Sequence, residues 1–262
     1  MSKKGNESLT TIIVAGALCL VCSLLVSFTV VSLKEKQTKN KELDFKKNVL
    51  MSAGLIEPGV SAEVVESTFS KIKTIIVDFE SGEVTTKVDP KNYDQNKAAS
   101  NPEMNVRIPS GEDVASLNTR AKYAEIYLVQ SEGGEIEKVI LPVKGKGLWS
   151  TMYGFLALGS DTNTIKGFAY YSHGETPGLG GEVDNPKWKS QWIGKKVYND
   201  NWDVQFKVAK GSVNSGSDNA IYQVDGLSGA TITGNGVTSS MDYWFGSHGY
   251  KKFLENVREG RI

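Results

Sequence analysis

Between Asp225 and Thr233 the chain reads Asp-Gly-Leu-Ser-Gly-Ala-Thr-Ile-Thr, which sets three hydroxyls, Ser228, Thr231 and Thr233, among glycines at 226, 229, 234 and 236. Glycines let a backbone approach a ligand closely, and free N–H groups at a helix start favour a phosphate. The stretch links a strand-like segment to a helical one. Phosphate binding is one reading of it, and a capped turn without a ligand is the other. Gly226-Leu-Ser228-Gly-Ala230 also approaches the Gly-x-Ser-x-Gly nucleophile elbow. Alanine stands at its last position, His248 is the only histidine downstream, and Asp242 is the only acid between, which counts against a serine hydrolase. A second glycine-dense loop runs His173-Gly-Glu-Thr-Pro-Gly-Leu-Gly-Gly181. Gly145-Lys-Gly147-Leu-Trp-Ser150 lacks the third glycine of a dinucleotide fingerprint, and no Walker A sequence occurs. Neither an independent dinucleotide site nor an ATP site is supported.

Thiol and metal chemistry are nearly excluded. Both cysteines, Cys19 and Cys22, lie in the uncharged run Leu9–Leu33, and beyond it only His173 and His248 offer imidazole. The polar part therefore has no disulfide, thiolate nucleophile, zinc–thiolate site or self-contained iron–sulfur centre. Thirty basic and thirty acidic residues balance, so no basic field recruits nucleic acid.

The uncharged run is 25 residues long. As a helix it spans ~38 Å, more than the ~30 Å of bilayer hydrocarbon. It is too long for a signal-peptide core and ends without a small-residue cleavage pattern, so it reads as an uncleaved anchor. Six lysines against three acids in Lys34–Lys47 place that flank in the cytoplasm by the positive-inside rule, although long domains cross largely regardless of charge. The expected organisation is a short cytoplasmic tail at 1–8, a transmembrane helix at 9–33, a juxtamembrane helical and hairpin region with a polar loop at 34–112, and a ligand-binding domain at 113–262.

Within the polar part, a helix from about Lys39 to Ala53 stops at Gly54, and Ser61 caps a short helix. Strands are expected at Thr74–Phe79, Val84–Val88, Ala124–Gln130, Ile136–Val143, Met152–Leu158, Ile165–Ser172, Val204–Ala209 and Ile221–Val224. Asp89 to Asp113 reads as a long polar loop. Trp188–Ile193 reads as a short helix. Gly234-Asn235-Gly236 opens a longer helix with Val237, Met241, Trp244 and Phe245 on one face, and a last helix covers Tyr250–Val257. Many hairpins with helices near both ends give an α+β fold with a mainly antiparallel sheet.

Asp-x-x-Ser-Gly-Ala-Thr resembles the recognition motif of covalently flavinylated FMN-binding domains. Combined with one anchor, the Gly145–Phe155 segment and Gly174-Glu-Thr-Pro-Gly-Leu-Gly180, the chain is similar over nearly its whole length to the C subunit of sodium-translocating NADH:quinone oxidoreductases. The G subunit of the related ferredoxin:NAD oxidoreductase resembles it at both motifs but is shorter. An anchored periplasmic binding module without redox chemistry is the remaining alternative.

The resemblance implies FMN joined through its phosphate to Thr231 by a flavin transferase, with Ser228, Gly229, Ala230 and Thr233 shaping the phosphate cradle. It implies Glu175, Thr176, Leu179 and Gly180 beside the flavin, with Trp149, Leu148 and Tyr153 as apolar walls. For Trp149, core packing is the competing expectation. For Glu175 it is a carboxylate that never touches the ring. The resemblance further implies an electron carrier among other membrane subunits, working with NADH, ubiquinone and sodium. Its polar domain would lie on the periplasmic side of a bacterial inner membrane, against the vote of the flanking lysines.

Overall fold

The computed structural model describes residues 3–262, with side chains from Leu9 onward. Met1 and Ser2 of the expected tail at 1–8 lie outside the described residues. The chain divides into a unit ending at Phe45 and a compact unit Lys46–Ile262.

Helix α1 runs Lys3–Ser52. Among the described residues it is the one helix long and apolar enough to cross a membrane. Its apolar side chains from Leu9 to Val31 are exposed, as suits a lipid-facing surface. The sequence suggested two helices here, but the linking segment is rich in Lys, Glu and Gln, all good helix formers, and carries a Glu35–Lys39 ion pair at i, i+4. The helix ends where expected. Gly54 takes φ 64°, and the N–H groups of Gly54 and Leu55 bond back to the carbonyls of Met51 and Leu50.

The remaining elements are α2 (Ala62–Phe69), β1 (Lys73–Asp78), α3 (Gln95–Ser100), β2 (Asn105–Arg107), β3 (Thr119–Ala121), β4 (Tyr123–Gln130), β5 (Ile136–Lys146), β6 (Thr151–Gly159), β7 (Ile165–Ser172), α4 (Pro186–Ser190), β8 (Lys207–Val208), β9 (Gln223–Val224), α5 (Thr231–Phe245) and α6 (Lys251–Arg258). A five-stranded sheet in the order β1-β4-β5-β6-β7, antiparallel throughout, forms the frame of this α+β fold. Because β1 pairs with β4, residues on both sides of the boundary expected at 112/113 share one sheet.

Alternation along the strands sends side chains to two faces. On one face Ile126, Leu141, Met152 and Leu156 pack with Val237, Met241 and Trp244 of α5 and Phe253 of α6 in the main core. The Trp244 indole and the Ser240 hydroxyl both donate to the Lys144 carbonyl, at 2.6 and 3.0 Å, which locks α5 onto β5. The opposite face carries an aromatic row in which Phe69 meets Tyr127, Tyr127 meets Phe155, and Phe155 stacks on Tyr171 at 5.1 Å.

Four local expectations change. Val84–Val88 forms only an isolated bridge to Val77, because Thr85 turns its hydroxyl onto the Lys87 N–H. The polar loop holds α3 and β2; Asp94 caps α3 by accepting from the Asn96 and Lys97 N–H groups at 3.0 Å. The segments Val204–Ala209 and Ile221–Val224 shrink to the two-residue strands β8 and β9, which pair in parallel. Helix α5 starts at Thr231 rather than at Gly234, and this determines the geometry of the site.

Candidate functional site

Four loops meet at the start of α5. They are 147–150 between β5 and β6, the glycine-dense loop 173–181 after β7, 209–213 after β8, and 225–230 before α5. Glu175 joins two of these loops to the helix. Buried at 5% exposure, it accepts from the N–H groups of Leu148 (3.1 Å), Trp149 (2.9 Å) and Ser150 (3.3 Å), and from the Thr233 hydroxyl (2.6 Å). Burial alone would raise its pKa. The Thr233 hydroxyl and the three backbone donors outweigh burial and hold it below the ordinary glutamate value. A carboxylate surrounded this way is anionic at neutral pH and fixes the loop carrying Trp149 to the first turn of α5.

Two glycines make that contact possible. A Cβ on Gly180 would stand 2.6 Å from the Thr233 hydroxyl and 2.7 Å from Glu175 Oε2, and one on Gly147 would stand 2.5 Å from Glu175 Oε1. The loop is held at its base by His173. Its Nδ1 accepts from the Glu175 N–H at 3.2 Å, so its Nε2 carries the proton donated to Asp184 at 2.7 Å. His173 is therefore a tether, half-sheltered rather than a free surface group.

Asp225 plays the matching role on the other side. Its carboxylate accepts from the Val213 N–H (2.7 Å) and the Gln191 amide (3.0 Å), and its carbonyl accepts from the Trp188 indole (2.7 Å). It ties the 209–213 arm to the hydroxyl-bearing loop. Gly229 takes φ 67°, turning the chain into α5. Buried Ala230 is the N-cap residue; it has no side-chain oxygen to cap the helix, and the first turn carries no acid. The helix therefore supplies no cap or charge of its own to its positive end, and the anionic Glu175 carboxylate, bonded to the Thr233 hydroxyl, lies against that turn from the buried side.

Thr231, the first helical residue, is exposed, as is Ser228. Both line a groove of ≈ 440 Å³ shared with Lys210, Ser212 and Asn235 and floored by glycines. No carboxylate lines it. Hydroxyls, a lysine, a side-chain amide and close backbone are a donor set that fits a phosphate. Beside it stand exposed apolar side chains: Trp149 is 65% exposed, Leu148 44%, Leu179 45% and Ile232 59%. Such a group next to a polar groove fits a flat ring with polar edges.

The expected site residues thus divide. Thr231, Ser228 and Gly229 line the groove, and Leu179 lies against Gly229. Trp149 is outside the core, so the core-packing expectation for it fails. Glu175, Thr233 and Gly180 form a buried latch under the groove. Thr176 contributes its carbonyl, which accepts from the Leu179 and Gly181 N–H groups, to the turn. Tyr153 lies away from the site, near Tyr171 and the Lys144 ammonium on the aromatic face, because its strand parity opposes that of Met152. Sequence reasoning missed Lys210, Ser212 and Asn235, none of which carries a recognisable spacing.

A model described as FMN-binding domain matches residues 147–245, which contain this whole loop cluster. The fold and site define an FMN-binding-domain protein carried on one apolar helix. Relatives extend the match along the chain. The C subunit of the Na(+)-translocating NADH-quinone reductase of Pseudomonas aeruginosa is 48% identical over 97% of this chain and 98% of its own length. That of Yersinia pestis is 44% identical over 99% and 97%. A crystal structure of NqrC from Shewanella oneidensis superposes with TM-score 0.76 at 37% identity, covering 84% of this chain and 99% of that one. The chain belongs to the NqrC family, the C subunits of Na(+)-translocating NADH-quinone reductases.

Proposed function

We propose that this protein carries FMN as a phosphoester on Thr231 and relays electrons within a sodium-pumping NADH:quinone reductase. The observation that carries the proposal is the exposed Thr231 hydroxyl at the uncapped start of α5, in a groove with no carboxylate. Forming the ester puts the threonine oxygen on the phosphorus, releases the hydroxyl proton and expels a leaving group from that phosphorus, so the transferase must supply the flavin phosphate in activated form; no carboxylate lines the groove to repel it. When bound, FMN supplies one- and two-electron transfer, chemistry that a domain without thiols and with two histidines lacks.

The chain's own residues bind and orient. Ser228 and the backbone from Gly229 through Thr233 form the phosphate cradle. Trp149, Leu148 and Leu179 offer walls for the ring. Glu175 is a positioning residue: it acts through the loop and the helix turn it joins, and Thr176 and Gly180 support that geometry. Attachment keeps the flavin from dissociating between electron transfers and holds its orientation. Redox partners are other membrane subunits of the complex, and a flavin transferase serves maturation. In this reading residues 1–8 are cytoplasmic, 9–33 cross the inner membrane, and the flavin domain is periplasmic. The family resemblance supports that side over the weak vote of the flanking lysines.

The test is in-gel fluorescence under ultraviolet light of the denatured full chain, co-expressed with a flavin transferase. The wild type should fluoresce and Thr231→Ala should not, with both folding alike. A dark wild-type band would favour an anchored binding module instead.

A further inference from the structure

We infer that Lys210 binds the phosphate of the flavin nucleotide and orients it toward Thr231. The inference rests on the FMN reading above and adds to it a residue from outside both recognised motifs.

The groove that exposes Thr231 has two walls. One is the hydroxyl loop with the start of α5, and the other is the arm 208–212. The arm is fixed along its length. The Val208 N–H donates to the Thr238 hydroxyl at 3.0 Å, the Ala209 N–H to the Val224 carbonyl at 2.9 Å, and the Val213 N–H to Asp225 at 2.7 Å. The Gly226 N–H reaches across to the Gly211 carbonyl at 2.7 Å, and a Cβ on Gly226 would stand 2.4 Å from the Ala209 carbonyl oxygen. A side chain at 210 is therefore carried on a fixed backbone, directly opposite the hydroxyl loop.

Lys210 is the only cation among the residues lining this groove, and no acid lines it to neutralise that charge. Its side chain is exposed and takes no part in the core, so the fold does not account for its place. A phosphate monoester carries between one and two negative charges at neutral pH, and a charge-assisted bond from an ammonium is stronger than one from a neutral donor. Lys207, three residues earlier, serves as an internal control. It is exposed on β8, near enough to Asp242 to offset part of the rise that burial gives that carboxyl, and it does not line the groove.

The experiment uses the full chain in detergent with Thr231→Ala, so that no covalent flavin forms. Binding of free FMN and of riboflavin, which lacks the phosphate, is read from quenching of flavin fluorescence. FMN should bind at least about tenfold more tightly than riboflavin, and the margin should shrink with salt. Adding Lys210→Gln should shrink the margin while leaving riboflavin affinity unchanged. Lys210→Arg should retain it, and so should Lys207→Gln. An unchanged margin in Lys210→Gln, or equal loss in Lys207→Gln, overturns the assignment of Lys210 and leaves the FMN reading standing. Absence of binding by either flavin in every variant also overturns the assignment of Lys210, while the FMN reading itself stands or falls on the in-gel fluorescence of the wild-type chain.

Discussion

Replacing Glu175 by glutamine keeps its volume and removes one acceptor. In the native arrangement Oε1 accepts from the Trp149 and Ser150 N–H groups, and Oε2 accepts from the Leu148 N–H and the Thr233 hydroxyl. A glutamine can keep its oxygen toward Trp149 and Ser150. Its amide then faces Leu148 and Thr233. The hydroxyl can rotate to accept from it, but the Leu148 N–H meets another donor. One charge-assisted bond is lost outright and the others become neutral, so the expected loss is about 2 kcal/mol. For a unit of this size that corresponds to a fall of ~4–8 °C in Tm.

Because the folded pKa of Glu175 is depressed, the stability it contributes is present above the unfolded glutamate value and is lost as pH falls through the folded value. The Tm difference between Glu175→Gln and wild type should therefore be widest near neutral pH and narrow on acidification below the ordinary glutamate range. Intrinsic tryptophan fluorescence on heating, from pH 3 to pH 8, reads both quantities. Equal melting of the two proteins at pH 7, or a gap that widens toward acid, would refute the latch.

Other perturbations separate the latch from the groove. Gly180→Ala drives a methyl into Thr233 and Glu175, so a loss of ~1–3 kcal/mol is expected by urea unfolding. Trp149→Ala removes an exposed side chain and should leave stability within ~0.5 kcal/mol while changing the near-ultraviolet and visible dichroism of the flavin-loaded chain. Burial raises the Glu125 pKa to about 7, so wild-type stability should decline as pH rises from about 4.5 to about 7. Glu125→Gln should flatten that decline in the same melting series. Protease added to spheroplasts should cut the polar domain from outside if it is periplasmic; protection until lysis would reverse the proposed orientation.

The elements legible from sequence were those whose side chains alternate over many residues. The strands from Tyr123 to Ser172 read clearly because they present a continuous apolar face to α5 and an aromatic one behind. The uncharged run read clearly because lipid imposes a length. Short elements were lost. Helix α3 has only six residues and buries chiefly Ala98 and Ala99, and its signal was the capping Asp94 alone. The start of α5 was misplaced because its glycines suggested a turn, whereas Gly234 and Gly236 lie inside the helix, where a Cβ on Gly236 would meet the Lys146 carbonyl at 2.2 Å. Motif membership pointed to Glu175, but its direction depends on three N–H groups some 25 residues away in sequence, which no local pattern encodes. Lys210 reaches the groove through a two-residue parallel pairing too short to leave a period.

The central claim is that Thr231 bears the flavin. Peptide mapping by tandem mass spectrometry of the full chain, purified after co-expression with a flavin transferase, tests it most directly. The account predicts that the peptide containing Thr231 carries the mass of FMN less one water, with fragment ions assigning it to that hydroxyl rather than to Ser228 or Thr233. An unmodified Thr231 peptide, or flavin on any other residue, would contradict it.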